Sequence, residues 1–486
     1  MVTMKGTALR PVSWTGRRAP FLLLLALLAT GPNAAAQEGT PREDSLHRAI
    51  FRELVEINSS PLGGNVSRAS RAVQRRLIAA GYAPRDAQLL GGAPACLNVV
   101  ATLRGRDASA KPVLLMAHLD VVGARRADWK FDPYVLREEG GWFYGRGVLD
   151  NKAGASVLVA NMVRWKRERF VPTRDLVMVL TCDEETTAAA GISWLIANVP
   201  RLKGADYALN TDAGGVSEPK GGKVLFDLQA AEKVYTAFDL TARNPGGHSS
   251  TPRSDNAIYA LAAALTRLSG NSFPVMYNEV TRAAFTRGAE LETGQLAEDM
   301  RAAGRGETSG TAIDRIEQVV ALKYQLRTTC VATMLSGGHA ENALPQAATA
   351  RVNCRVMPGV PNADIERRLV EVVADTSITV QSVYSPTPSP PSPLRPDVMP
   401  SIERLARQFW SGAVVVPGMS AGATDGLYLR NVGVPVYGVS ALQMDPTRDR
   451  SHGLDEAVPV ASLYRSREFW YQLVKDLTTT SPKTTS

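Results

Sequence analysis

Pro112-Val113-Leu114-Leu115-Met116-Ala117-His118-Leu119-Asp120 is the stretch that decides the fold. Residues 112–116 are apolar without alternation, as in a short strand buried on both faces. The run then breaks into a histidine and an acid, whose side chains leave an extended chain in the same direction. The pattern recurs along the chain. Residues 175–180, apolar after Asp175, run into Asp183-Glu184-Glu185, and 207–209 run into Asp212. A further strand is predicted at 97–103, and helical stretches at 153–167 and 188–198 lie between strands. Strands apolar on both faces, alternating with helices, predict an α/β domain with a mostly parallel sheet and helices on both faces. In such sheets, sites form beyond the carboxyl ends of the strands, where these polar residues gather.

Toward the N-terminus, Thr40-Pro41-Arg42-Glu43 reads as a helix start. Thr40 caps, Pro41 suits the first turn and Glu43 closes a capping box. A second helix is predicted over 65–80, stopped by Gly81. Toward the C-terminus the pattern changes. Residues 233–243 alternate like a strand with one wet face, and 252–268 are helical. Strands at 328–335 and 349–356, a helix at 362–374 and a strand at 377–384 follow. That βαββαβ order predicts an α+β domain over 231–385, inserted between two parts of a catalytic domain, 37–230 and 397–486. Residues 271–327 form a helical excursion inside the insert, and the Pro/Ser-rich 386–396 are the return linker.

Residues 1–36 stand apart. They hold Lys5, Arg10, Arg17 and Arg18 and no acid, then an unbroken apolar run over 21–29, then Ala34-Ala35-Ala36. That order is a secretory signal peptide. The apolar run is shorter than the roughly 20 residues that a membrane helix needs. The expectation is a periplasmic or secreted protein with no membrane contact after cleavage. Half of the formal charge of +8 belongs to this leader. No basic face with interleaved aromatics remains, which argues against nucleic acid as a partner. Four cysteines are too few for a disulfide scaffold. Cys96, Cys182, Cys330 and Cys354 therefore read by default as buried thiols. Cys330 and Cys354, in neighbouring strands, are the pair that an oxidising compartment would close.

Taken singly, the polar residues at the strand ends have bland readings. His118, with Asp120 to hold its second nitrogen, could be a satisfied surface histidine. Asp183-Glu184-Glu185 could be the acidic first turn of a helix. Asp150, in Gly145-Arg146-Gly147-Val148-Leu149-Asp150-Asn151-Lys152, could be a cap. Asp212 could be a turn residue before Gly214-Gly215, and His452, in Arg450-Ser451-His452-Gly453, merely exposed. Together they are harder to dismiss. The chain has only five histidines, and two fall at such positions. Two histidines and four acids can hold two metal ions, with one carboxylate shared and one acid free to act as base. Mixed nitrogen and oxygen donors suit zinc, with cobalt or manganese as substitutes.

The ordered motifs resemble the co-catalytic di-zinc metallopeptidase family of acetylornithine deacetylase, succinyl-diaminopimelate desuccinylase, aminoacylase and glutamate carboxypeptidase. His118-Leu119-Asp120, Gly145 through Asp150, Asp183-Glu184-Glu185, Asp212, Gly246-Gly247-His248-Ser249 and His452 fall in that family's order over residues 45–475. The resemblance implies that His118 and Asp212 bind one zinc ion, that Glu185 and His452 bind the other, and that Asp150 bridges them. It implies that Asp120 orients His118 and that Glu184 is the general base. His248 matches a histidine that reaches an active site, often that of a partner subunit, to stabilise the oxyanion. Asn342 and Arg355 match residues of the substrate pocket. The insert matches a lid that commonly mediates dimerisation, which implies a homodimer. Many members carry an acid where this chain has Asn353, a departure that concerns the lid and not the metal ligands.

The excursion 271–327 and the run from Gly337 to Asn342 resemble the branch of Gly-X carboxypeptidases and secreted N-acyl amino acid hydrolases. The implied reaction is hydrolysis of an amide bond next to a free carboxylate, on a short peptide or, alternatively, on an N-acyl amino acid. A reading of another class is a non-catalytic periplasmic peptide-binding protein. Survival of the base and all five ligands argues against it. A serine hydrolase is disfavoured, because Ser249 and Ser250 lack a Gly-x-Ser-x-Gly elbow.

Overall fold

The structure is a computed structural model that describes residues 39–218, 222–445 and 450–479. The leader 1–36 lies outside them. Four parallel strands make the middle of a nine-stranded sheet, in the spatial order Leu176–Thr181, Val113–His118, Tyr207–Asn210, Val436–Gly438. Their side chains sort onto two faces. Val113, Leu115 and Ala117 join Leu176, Met178 and Leu180 in one core, under the helices Pro41–Val55, Lys152–Arg167 and Val460–Thr479. Leu114, Met116, Val177 and Val179 pack on the other face with Ile192 and Leu195 of Ile192–Asn198 and Leu429 of Gly426–Asn431. Both faces gain from removing apolar area from water, at roughly 25 cal/mol per Å², so these strands carry no polar alternation. Cys96–Leu103 and Ala87–Ala93 extend the sheet antiparallel on one side. On the other side Leu225–Glu232 runs antiparallel to Val436–Gly438, and Val414–Ser420 runs parallel to Leu225–Glu232.

The helix predicted over 188–198 begins only at Ile192. The Asp183 carboxylate accepts from Ala190 N at 2.8 Å and holds the intervening residues as a loop. Among the described residues no helix is long and apolar enough to cross a membrane.

A second, antiparallel sheet has the order Thr329–Gly337, Ala347–Val356, Val234–Arg243, Ile378–Ser382. The helices Ala257–Ser269 and Asn362–Val373 cover one of its faces around Phe238, Leu240, Leu261, Val352 and Leu369. The 271–327 segment forms four short helices, Glu279–Gly288, Gly294–Arg305, Thr311–Ile316 and Val320–Leu326. They have their own core of Phe285, Met300, Ile313 and Ile316. Glu279–Gly288 packs on the strand Val414–Ser420, so the excursion lies against the large sheet.

The cysteines correct the default reading. None of the four is a thiol: Cys330 pairs with Cys354, and Cys96 pairs with Cys182. Cys330 and Cys354 are register partners on adjacent strands. Cys96 and Cys182 lie 86 positions apart. The antiparallel pairing of Cys96–Leu103 with Leu176–Thr181 brings them together.

Candidate metal centre

The carboxyl edge of the parallel strands gathers the polar residues. His118 ends its strand, Asp183-Glu184-Glu185 follow Leu176–Thr181, and Asp212 lies just past Tyr207–Asn210. Asp150 comes immediately before Asn151 and the helix Lys152–Arg167, and the Asp150–Asn151 peptide bond is cis. His452 comes from a loop and has φ 62°, a backbone conformation uncommon outside glycine.

His118 Nε2 lies 2.9 Å from Asp150 Oδ1 and 3.1 Å from Asp212 Oδ1. His452 Nε2 lies 3.1 Å from Asp150 Oδ2 and 2.9 Å from Glu185 Oε2. The two oxygens of Asp150 therefore face different histidines. Donor atoms of His118, Glu184 and Asp212 lie within 4.8 Å of one another, as do those of His118, Asp150 and Glu185. Cys96, Cys182 and Asp183 also cluster, but those sulfurs form a disulfide and offer no thiolate.

The expectation for Asp120 takes a different form. The His118 ring is met by the backbone carbonyl of Asp120, 3.0 Å from Nδ1, whereas the carboxylate Oδ1 is 3.6 Å away. That carboxylate accepts from the backbone N–H of Glu184 (3.2 Å) and Glu185 (2.9 Å). It ties the histidine motif to the acid motif. Asp183, the first of the three consecutive acids, turns away toward Thr187 and Ala190.

Sequence reasoning missed Glu456. It is fully buried. It accepts from Gly147 N (2.9 Å), Leu149 N (2.7 Å) and Asp150 N (3.0 Å), and pairs with Arg146 Nη1 at 2.7 Å. Glu456 thus fixes the loop that carries Asp150. Asn151 was also missed; its Nδ2 donates to Asp212 Oδ1 at 2.6 Å. The one signal for Glu456 was Arg146, a cation between two glycines that needed a partner.

Electrostatically the cluster is strained by its own acids. Burial, with the Asp212 carboxylate adding to it, pushes Glu184 up to about 10. Burial also raises Asp212, and it takes Asp425 behind them up to about 7. Hydrogen bonds to Asp150 and Glu185 push His452 up to about 10. Burial works against a charge on His118, but Asp212, Asp120 and Asp150 outweigh it and raise its pKa. Crowded buried carboxylates and histidines drawn toward protonation both call for positive charge at this point. The donor set fits two divalent cations, and imidazole with carboxylate suits zinc.

An open cavity of about 770 Å³ lies over the cluster, lined by Asp150, Glu184, Glu185, Asp212, Ala421 and His452. Arg355 reaches its rim. Its Nη1 donates to the Ala421 carbonyl at 3.0 Å, and the guanidinium sits 4.8 Å from the Tyr235 ring centroid. His248 and Asn342 are not brought to the cluster. They are exposed neighbours, with Ser249 N donating to the Asn342 carbonyl at 3.0 Å, where Gly247–His248 pairs with Ala343–Leu344.

A mostly parallel sheet with this cluster at its carboxyl edge defines the class of α/β metallohydrolases. The chain belongs to the peptidase family M20/M25/M40, whose model matches residues 114–476. It is 28% identical over 398 residues to the N-fatty-acyl-amino acid synthase/hydrolase PM20D1 of Homo sapiens, covering 78% of this chain and 76% of that protein. It is 24% identical over 428 residues to carboxypeptidase S of Saccharomyces cerevisiae, covering 78% and 73%. Its fold matches the M20 family metallo-carboxypeptidase Sso-CP2 of Sulfolobus solfataricus with a TM-score of 0.66 and 16% identity, over 89% of this chain and 99% of that one. It also matches YXEP of Bacillus subtilis, described as a dinuclear metal binding peptidase, with a TM-score of 0.56 and 12% identity, over 90% and 98%. The protein is an M20 hydrolase, of a family whose members are metallopeptidases and amidohydrolases.

Proposed function

We propose that the protein uses two zinc ions to hydrolyse an amide bond whose nitrogen belongs to an amino acid with a free carboxylate. Asp150 carries the reading. Its two oxygens face His118 and His452 separately, as suits a carboxylate shared by two ions. His118 and Asp212 would hold one ion, and Glu185 and His452 the other. When bound, the ions supply a water of lowered pKa and polarise the amide carbonyl.

The chain's own groups handle the proton and the substrate. Glu184, held through its N–H by Asp120, takes a proton from the attacking water and returns it to the leaving nitrogen. Burial holds its pKa high, and positive charge beside it brings that value down into the range of a working base. Arg355, at the rim, offers a two-pronged grip for the substrate carboxylate once it leaves Ala421.

His248 and Asn342, exposed together on the insert, suit residues that complete the cleft of a second copy. The edge strand Thr329–Gly337, with Val331, Met334 and Leu335 exposed, suits pairing of the inserts in a homodimer. The two disulfides support an oxidising compartment, periplasmic or secreted, reached through the 1–36 leader.

Two substrate forms fit this chemistry. Likeness to carboxypeptidase S supports short peptides, and likeness to an N-fatty-acyl-amino acid synthase/hydrolase supports N-acyl amino acids. The test is metal analysis of the mature protein, followed by stripping with chelator and assay on Gly-X dipeptides and N-acyl amino acids. Two ions per chain, with activity lost on stripping and restored by zinc, is the expected result. No bound metal and no turnover with added zinc would overturn the reading and put a peptide-binding protein in its place.

A further inference from the structure

The acid motif Asp183-Glu184-Glu185 is fastened on two sides. On one side the Asp120 carboxylate accepts from the N–H groups of Glu184 and Glu185. On the other, Cys182, the residue just before Asp183, is bonded to Cys96. Cys96 begins the strand Cys96–Leu103. The same strand supplies a second tie, because Asn98 Nδ2 donates to the Ala190 carbonyl at 2.9 Å. One strand edge therefore holds both ends of the stretch 182–190. Between its ends the stretch has little of its own. Thr186, Thr187 and Ala189 are exposed, and Ala188 joins a core but has φ 52°, which an L residue adopts at a cost. Its internal bonds, from Thr187 Oγ1 (3.3 Å) and Ala190 N (2.8 Å), both end on the Asp183 carboxylate, next to Cys182. Three consecutive acids add repulsion unless cations are close. The stretch also borders the reacting space. Thr186, Thr187 and Ala188 wall the first and larger of two cavities at the cluster, whereas Phe285 and Met300 of the excursion wall the second.

We infer that the Cys96–Cys182 disulfide is a redox switch on the metal centre. Closed, it positions Glu184 and Glu185; opened, it lets the acid motif draw away from Asp120, so that the ion site of Glu185 and His452 weakens. The inference rests on the two-ion hydrolase reading above and adds a control to it. Cys96 and Cys182 are positioning residues that act through the stretch between Cys182 and Ala190. The other ion site does not hang on that stretch. His118 ends its own strand, Asp212 is held by Asn151 Nδ2 at 2.6 Å, and the Asp150 loop is fixed by Glu456. Opening the bridge therefore affects one site and spares the other. The bridge is within reach of a reductant: Cys182 is buried, but Cys96 is half-buried and follows the exposed residues 92–95. A dithiol opens it by attack of one thiolate on Cys96 Sγ. The S–S bond breaks, and Cys182 leaves as a thiolate and takes a proton. The second sulfur of the dithiol then displaces Cys96, and the reagent departs as a disulfide. Closure is the reverse, with two electrons and two protons passing to an external disulfide. The device keeps the hydrolase weak in a reducing compartment and completes it in an oxidising one.

The test is a zinc-competition titration of the mature protein, well below its melting temperature, with the disulfides formed and with Cys96→Ala/Cys182→Ala. The oxidised protein should hold two ions tightly. The double variant should hold one of the two about 10–100-fold more weakly and keep the other. Cys330→Ala/Cys354→Ala removes the bridge in the insert and should leave both affinities unchanged. Treating that variant with a dithiol, then desalting it without air, opens Cys96–Cys182 alone. It should reproduce the loss at one ion, and reoxidation should reverse it, so the test survives if the Cys96→Ala/Cys182→Ala protein fails to fold. Unchanged affinities in both opened forms would overturn the switch and leave the hydrolase standing. Equal losses at both ions, or the same loss in oxidised Cys330→Ala/Cys354→Ala, would make the bridge a general staple of the fold and overturn the switch as well. An oxidised protein that holds no zinc would overturn both readings together.

Discussion

At the scale of single residues, Glu184 and Asp120 divide the work between chemistry and placement. Glu184→Gln keeps the shape of the side chain and the backbone bond to Asp120, and removes the base. It should lose about 10²–10⁴ in kcat and still hold two ions per chain by metal analysis; near-normal turnover would take Glu184 out of the base role. Asp120→Ala acts differently. It leaves the N–H groups of Glu184 and Glu185 without their acceptor, at about 1–3 kcal/mol for a buried unpaired group. The acid motif then loosens, and zinc affinity should fall about 10–100-fold. Urea unfolding and a zinc-competition titration read the two effects separately. The candidate ligands could be picked out from sequence because each sits where an apolar run or a glycine turn ends. Glu456 could not be. Its partners are mostly backbone N–H groups of a loop some 300 positions earlier, and a backbone donor leaves no mark in the sequence.

At the scale of elements, the loop from Gly145 to Asp150 depends on one buried pair. Arg146 is 3% exposed and Glu456 is 0% exposed. Arg146→Met would strand the Glu456 charge among N–H donors that cannot fully neutralise it. Breaking one side of such a pair costs about 3–5 kcal/mol. The midpoint of urea unfolding should fall accordingly, and adding Glu456→Gln to Arg146→Met should recover part of the loss. An unchanged midpoint would mean that water reaches Glu456. The central strands were legible because both faces are buried. Leu225–Glu232 was not, because Asp227 and Gln229 point into the first cavity and Glu232 pairs with the buried Arg430. Those polar residues break the apolar pattern that marks a strand. The excursion was legible as helical, but what it packs against was not. Part of its apolar face lines a cavity, and periodicity alone does not distinguish a cavity wall from a core.

At the scale of the whole molecule, the acid cluster links stability to both pH and metal, with opposite signs. His452 is raised from 6.5 to about 10 in the fold, and Glu184 from 4.5 to about 10. Both groups bind protons more tightly folded than unfolded. Their contribution is fully present below the unfolded values and is lost as pH rises through the folded ones. Without metal, the melting temperature should therefore fall as pH rises from about 6.5 toward 8.5, within the window between the ordinary histidine value and the raised one. Metal reverses this. The ligands bind ions only after giving up their protons, so affinity grows over the same range, and ligand that binds the folded state alone stabilises it in proportion to the logarithm of its saturation. Melting curves in chelator and in excess zinc should accordingly diverge as pH rises. A constant gap between them would mean that zinc binds somewhere other than among His118, Asp150, Glu185, Asp212 and His452. Lys152 and Lys233, which burial lowers to about 7, pull the other way over this range, so a chelated protein whose melting temperature rose with pH would mean that the acids hold the histidines protonated too weakly to outweigh those two lysines.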